Sequence, residues 1–571
     1  MTCQLTTLPF DCLHEIIEYL EKDKTTLHSC LLVNRLLCEI SVRILWRDIS
    51  SYKSNNGSSL SFFNTIIACL PNESKEFLNK NEIFVSTPTS KSPLFNYAAF
   101  CKILSISDID RIVNEALINT LSLNPHSSSR LCDSYYLVTK EIVKMFMNQA
   151  SLKILTYHDP YYYYPINGNF SFPFSGTRNL SEFHCNSNLS SDFFHQLSQI
   201  CHNLQSISIS FENDVSNKLK ELISLQNNLK SLTLKVRSDT SWENIIPSLA
   251  KHSNTLIKLS LYSDDNNDNL PFSFISLFTN LQEFIFSFSI LIPYANTKDF
   301  EKLQYVNFPK LQTLKIPYLC PNPEYLMKFL ETNGKNLTNI YICEGIYYEG
   351  KFNTGLNMNG LKGLKGLLNK NLILSIANFC PNLKRLSVRI NPGESYVLRI
   401  IFIKCQYLEF ISIWCEEKSI AGTIFEFIET WASKYFCELI LYNSNLYLIY
   451  PVDLESFLIS WKNKKPEKLL KLMFIRQSNI ISEYEEYEKY IKYNIYEGVY
   501  YISSNYYIFD NMIDYYEIDE DIINDLKHKY SYELNYYDQN LKIIEKYEKL
   551  GIIKSRIECI KDEELHYYFY Y

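Results

Sequence analysis

One short pattern returns twelve times between residues 150 and 476, L-x-x-L-x-L with Ile, Phe, Val and Tyr tolerated at its apolar places. The first copies are Leu152/Leu155/Tyr157, Leu180/Phe183/Cys185 and Leu204/Ile207/Ile209, and the last is Leu469/Leu472/Phe474. Successive copies start 24–33 residues apart, with a single step of 46. A pattern of this length and period leaves the chain few choices. The alternation within each copy is that of a short strand with its apolar residues turned to one side. The residues between copies must carry the chain back over a distance that a helix or irregular segment can span. No copy can bury its apolar side alone, so each must be covered by its neighbours. We therefore expect an α/β chain. A small all-helical N-terminal piece and a helical segment precede a solenoid, a curved parallel β-sheet with helices outside.

The boundaries follow from where the pattern starts and stops: 1–48, 49–149, the repeats at 150–476, and 477–571. The 46-residue step falls near 345–372, around Gly355-Leu-Asn-Met-Asn-Gly360, and reads as a loop-bearing insertion. Residues 8–48 read as three short helices. The first carries Leu13, Ile16, Ile17 and Leu20, the second Leu27, Cys30 and Leu31, and the third Leu36, Ile40 and Ile44, up to Trp46. Leu8-Pro9 stands where proline's fixed φ suits a helix start. Residues 50–59 form a Ser/Asn linker, and 60–148 read as mostly helical. A last helix over 536–556 ends at Leu550-Gly551.

Composition closes several doors. Hydrophobic residues are 46% and charged ones 21%, ordinary for a chain that buries a core. The net charge of −7 disfavours a nucleic-acid binder, and no apolar run approaches the roughly 18 residues that span a bilayer. Asp11, Glu15 and Glu18 interrupt the apolar stretch that a secretory signal would need. The 16 cysteines hold no CxxC, which points to reduced thiols in the cytoplasm or nucleus. Charge is uneven, because residues 481–571 hold 20 acids against 10 bases and 20 of the 44 tyrosines.

Catalytic and metal motifs fail on inspection. Gly355-x4-Gly360 begins like a phosphate loop, but Leu361 follows where Lys is needed. His184-Cys185, His195 and Cys201-His202 are the densest His/Cys group, yet Cys201 sits in a slot three places before a repeat's first leucine. Cys380, Cys405, Phe278 and Phe308 fill that slot elsewhere. A place shared by Cys and Phe reads as apolar packing. We expect no metal, no cofactor and no enzymatic activity.

Leu8-Pro9, Leu13, Ile16, Leu20, Leu27, Cys30, Val33-Asn34-Arg35 and Trp46 resemble an F-box, with Asn34 where the family more often has serine. Joined to the repeats, the chain resembles fungal F-box/leucine-rich-repeat proteins. That resemblance implies the substrate-recognition subunit of an SCF-type ubiquitin ligase. Leu8, Pro9, Leu13, Ile16, Leu27, Cys30, Val33, Asn34 and Arg35 would then meet a Skp-type adaptor, which carries the cullin and RING subunits. Leu20 and Trp46 would close the small helical core. The repeats would bind a protein target, with no nucleic acid and no membrane as partner. In the C-terminal copies the residues beside the inward leucines include Arg385, Arg389, Phe410, Trp414 and Tyr442, types that anchor protein interfaces. A repeat scaffold acting outside a ligase is the alternative.

Overall fold

The structure is a computed structural model. It describes residues 9–49, 58–83, 93–121, 128–158, 174–211, 215–236, 242–263, 272–288, 297–317, 321–342, 370–390, 393–415, 420–442, 449–464, 469–477, 501–502, 516–517 and 520–560. Leu8, the glycine-bearing stretch at 355–366 and most of 477–519 lie outside them. The chain forms two compact units, residues 1–267 with 277–281, and 268–276 with 282–571.

The first unit opens with α1 (Phe10–Glu18), α2 (Lys24–Cys30) and α3 (Arg35–Leu45). The start of α2 is fixed by Asp23, which accepts the Thr26 N–H at 3.0 Å, and that of α3 by Asn34, which accepts the Leu37 N–H at 2.9 Å. Leu13, Ile17, Leu27, Leu37, Ile40, Ile44 and Leu45 make the bundle's core, with Leu20, Cys30, Leu31 and Trp46 at its margin. Two register details differ from the sequence reading: Ile17 and Leu37 turn inward, while Ile16 and Leu36 face solvent. Helical spacing admits either neighbour, and packing decides.

The helices α4 (Ser58–Cys69), α5 (Asn72–Lys80), α6 (Tyr97–Phe100), α7 (Ile106–Leu121) and α8 (Ser128–Gln149) fill the expected helical region. It also holds a strand, β1 (Ile103–Ser105), that the pattern search passes over. Its core is Cys101/Leu104/Ile106, all fully buried, so it is a repeat with cysteine in the first leucine's place. Five strands follow in parallel register, β2 (Ile154–Tyr157), β3 (Glu182–Asn186), β4 (Ser206–Phe211), β5 (Ser231–Val236) and β6 (Lys258–Ser263), with α9 (Ser191–Ile200), α10 (Asn217–Ser224) and α11 (Ile246–Ala250) between the last four. One carbonyl per copy accepts two N–H groups of the next. Lys102 O takes Lys153 and Ile154, Lys153 O takes Ser181 and Glu182, and Gln205 O takes Lys230 and Ser231.

Arg47 O accepts Lys102 and Ile103 in the same way, at 2.8 and 3.0 Å, and Asp48 bridges Ile103 in parallel. The end of the helical bundle is thus the first rung of the ladder. The Arg47 side chain reaches back to α1, pairing with Glu18 at 2.8 Å and with Glu21 at 3.0 Å. Trp46 stacks on Phe62 at 4.9 Å and lies against Tyr97 at 4.6 Å. The hydrogen bond from Arg47 holds the Glu18 carboxyl below its ordinary value of 4.5, against the opposing effect of burial. A depressed carboxyl contributes stability that is complete above the ordinary value and is lost as pH falls through the native one. An Arg47→Met variant should therefore be less stable than the parent at pH 7. The gap should close on acidification below 4.5, a trend that urea titrations across pH would follow.

The second unit carries β7 (Glu283–Phe288), β8 (Thr313–Ile316), β9 (Asn339–Ile342), β10 (Arg385–Ile390), β11 (Phe410–Cys415), β12 (Glu438–Tyr442) and β13 (Leu470–Gln477). They are all parallel, with Phe284, Leu314, Ile340, Leu386, Ile411, Leu439 and Leu472 in one row. The strands β9 and β10 are direct neighbours across the 46-residue step. Helices α12 (Pro323–Asn333), α13 (Lys370–Phe379), α14 (Tyr396–Lys404), α15 (Ile420–Trp431) and α16 (Pro451–Lys464) return the chain. The last helix, α17 (Glu520–Lys549), begins earlier than the sequence implies and leads to β14 (Ile553–Ile560), which extends the sheet in parallel beyond β13. Gly551 has φ +67°, and the Ile552 N–H reaches Tyr547 O at 3.0 Å, the left-handed helix end that glycine permits. In the last copy Leu469 is exposed and Leu470 takes the buried place, where it bonds through its N–H to Ile552 O.

The slot before each first leucine is not simply apolar. Cys201 Sγ donates to Thr177 O, Gln226 Nε2 to Cys201 O at 2.8 Å, and Cys405 Sγ to Cys380 O. The residue in this slot staples its copy to the carbonyl of the copy before. Phe278 and Phe308 fill the slot with a buried ring instead.

Candidate functional site

The helical bundle displays an apolar surface. Val33 is 64% and Ile16 48% exposed, and Pro9, Asn34 and Arg35 are exposed beside half-buried Cys30. Leu13 and Leu27 are corrections: at 2% and 0% exposure they belong to the bundle's own core and present nothing to a partner. Residues the motif did not single out join the surface, namely Phe10, Tyr19, Leu32 and Leu36. Asn34 spends its carbonyl on capping α3, and Pro9 O accepts the Leu13 N–H at 3.1 Å. Both residues therefore set helix starts as well as facing outward. These are large apolar side chains open to solvent on three short helices.

The strand faces beside the inward leucines differ between the units. In the first they are paved with small hydroxyls, Ser206, Ser208, Ser210, Ser231, Thr233 and Ser260, flanked by His184 and His158. His158 Nδ1 lies 2.9 Å from Asn186 Oδ1. Burial, then the neighbouring His158 and Lys235, press the His184 imidazole down to about 4, so it is neutral at physiological pH. Strand alternation sends Cys185 to the opposite, fully buried side, which parts the His/Cys group seen in the sequence. Among the described residues no group of three such side chains is placed to hold a metal. Burial pushes the Cys201 thiol up to about 11 and that of Cys405 up to about 12, so neither is a ready nucleophile.

In the second unit the expected display of aromatics is absent. Phe410, Trp414 and Tyr442 are 4%, 8% and 6% exposed. Trp414 stacks on Tyr442 across adjacent strands, centroids 5.6 Å apart, and Ile475, Ile440 and Met473 pack against the pair. Residues in register on neighbouring strands lie near 4.8 Å apart, so large side chains on one face cover one another. Arg385 is committed too. Its guanidinium sits 3.9 Å over the Phe410 ring, donates to Tyr341 Oη at 3.2 Å and pairs with Glu438 at 3.4 Å. Lys315 pairs with Glu283 at 3.1 Å and lies over Tyr341. Arg389 is half-buried on β10. The five residues do share one face, but as a knitted surface of rings and ion pairs.

With parallel strands at each repeat, one row of inward leucines and returning helices, the protein is a leucine-rich-repeat solenoid. No family model matches the chain, and no curated protein does either. One solved structure it resembles is the crystal structure of the yeast Rad7 and Elc1 complex. The identity is 14% and the TM-score 0.35, over 65% of this chain and 88% of that one. So remote a likeness carries no argument about role. No helix among the described residues is long and apolar enough to cross a membrane.

Proposed function

We propose that this protein is the target-binding subunit of an SCF-type ubiquitin ligase. Its three-helix bundle docks on a Skp-type adaptor, and through it on the cullin and RING subunits. The observation that carries the reading is the bare apolar surface of the bundle, Phe10, Ile16, Leu32, Val33 and Leu36, on a sequence that resembles an F-box. The adaptor contacts are Pro9, Ile16, Cys30, Val33, Asn34 and Arg35, with Phe10, Leu32 and Leu36 added. Leu8 belongs to the same motif. Leu13 and Leu27 support the contact from beneath.

The bond from Arg47 O to the first repeat supports the same role. A receptor of this kind makes no covalent bond; it holds a target near the charged conjugating enzyme. That works best when adaptor and repeat are held at a fixed distance, and a shared ladder rung fixes it better than a flexible linker. The receptor needs no cofactor and acts in the cytoplasm or nucleus.

Co-purification of the full chain with a Skp-type adaptor tests this. An Ile16→Asp/Val33→Asp variant should keep its helical signal and melting point, because both side chains are exposed. It should lose adaptor affinity by roughly 100-fold or more, the scale for two central contacts of an interface. Absence of binding by the folded parent chain would replace this reading with a repeat scaffold acting outside a ligase.

A further inference from the structure

Immediately before each inward leucine the repeats carry a turn residue, and asparagine holds that place in many copies: Asn179, Asn203, Asn228, Asn280, Asn336 and Asn382. Where its bond is seen, the asparagine ties its turn to the turn before. Asn280 Nδ2 donates to Asn254 O at 2.8 Å, and Asn382 Nδ2 to Lys335 O at 2.9 Å. Most copies of the second unit depart from the rule, among them those with Lys310, Tyr407 and Tyr435 in that place. Between Lys310 and Tyr407 a cleft of about 500 Å³ opens at the strand entrances, lined by Lys310, Lys335, Asn336, Asn382, Lys384 and Tyr407 among others.

Its chemistry is one-sided. Three consecutive copies each deliver one lysine, and neighbouring strands stand near 4.8 Å apart. Among the described residues no carboxylate lines the cleft. Glu409, just outside it, lies 3.5 Å from Lys384, whose side chain is 53% exposed. The amides of Asn336 and Asn382 add donors. Tyr407 is half exposed and stacks on Tyr435 at 5.9 Å, which gives the cleft a firm aromatic wall. The strand-face arginine that would otherwise suit an anion, Arg385, is already paired with Glu438.

We infer that this lysine cleft is a binding site for an anionic peptide segment, whose carboxylate or phosphoryl groups meet Lys310, Lys335 and Lys384 while a neighbouring side chain lies on Tyr407. The inference deepens the receptor reading by naming what the second unit takes from its target. The cleft contains none of the adaptor-facing residues, so adaptor binding and anion binding succeed or fail separately.

Fluorescence anisotropy on the full chain tests it with two labelled probes. One is a ten-residue glutamate peptide, and the other a neutral peptide of that length bearing two phosphoserines. The parent should bind at least one of them, and the bound fraction should fall with added salt. Lys310→Gln/Lys335→Gln/Lys384→Gln should weaken that binding by about tenfold or more, as expected for removing complementary charge. A control, Lys251→Gln/Lys404→Gln/Lys462→Gln, removes the same charge from exposed lysines elsewhere and should change it by less than about twofold. A preference for glutamate or for phosphoserine identifies the source of the anion. Equal losses in both variants, an unaffected cleft variant, or a parent that binds neither probe would each overturn the site.

Discussion

Replacing Asn333 by leucine should cost the protein about 3 kcal/mol or more, although the two side chains are nearly the same size. Asn333 ends α12 and is fully buried. Its Oδ1 accepts the Phe308 N–H at 2.7 Å, and its Nδ2 donates to Val306 O at 2.9 Å and to Phe329 O at 3.1 Å. Leucine would fill the space and leave one buried donor and two carbonyls without these partners. A lost partner of this kind costs about 1–3 kcal/mol, and the loop cannot turn these groups to water without leaving the stack. Gln226 does the corresponding work in the first unit, accepting the Leu204 N–H at 2.9 Å and donating to Cys201 O and Leu222 O. Its leucine variant should show a loss of the same order. Urea unfolding followed by tryptophan fluorescence and by circular dichroism would measure both. A change below about 1 kcal/mol in Asn333→Leu would mean that these amides are incidental and the stack is held by apolar burial alone.

These amides mark the limit of what the sequence discloses. The inward residues are legible because their burial needs only the stack. Leu232, Leu259, Leu386 and Ile411 would be covered in any arrangement that places copies side by side. Cys101/Leu104/Ile106 is the same device, hidden because cysteine stands where a search looks for leucine. Asn333 and Gln226 look like ordinary polar residues near helix ends, and only the neighbouring turn shows what they hold. The bundle repeats the lesson: Ile16 and Ile17 are adjacent and alike, and the packing of α3 decides which is buried. Conversely, Pro9, Val33 and Asn34 were readable as a motif because their spacing is independent of the surroundings.

The strand face of the second unit was the least legible, because side chains two strands apart in space are about fifty residues apart in sequence. Trp414→Ala tests the corrected view of that face. If Trp414 were a displayed anchor, removing it would leave stability nearly unchanged. Instead it is 8% exposed, stacked on Tyr442 and packed with Ile475, so its loss should cost about 3 kcal/mol. Tyr442→Ala should also destabilise, and the double variant should lose less than the two single losses together. The ring pair contributes about 0.5–1.5 kcal/mol beyond its burial, and that coupling can be lost only once. Parent-like stability in Trp414→Ala would return this residue to the list of anchors. A loss near the expected value would leave the proposed target recognition to residues open to solvent, such as Lys310, Lys335 and Lys384 of the proposed cleft, while the rings of the strand face hold one another.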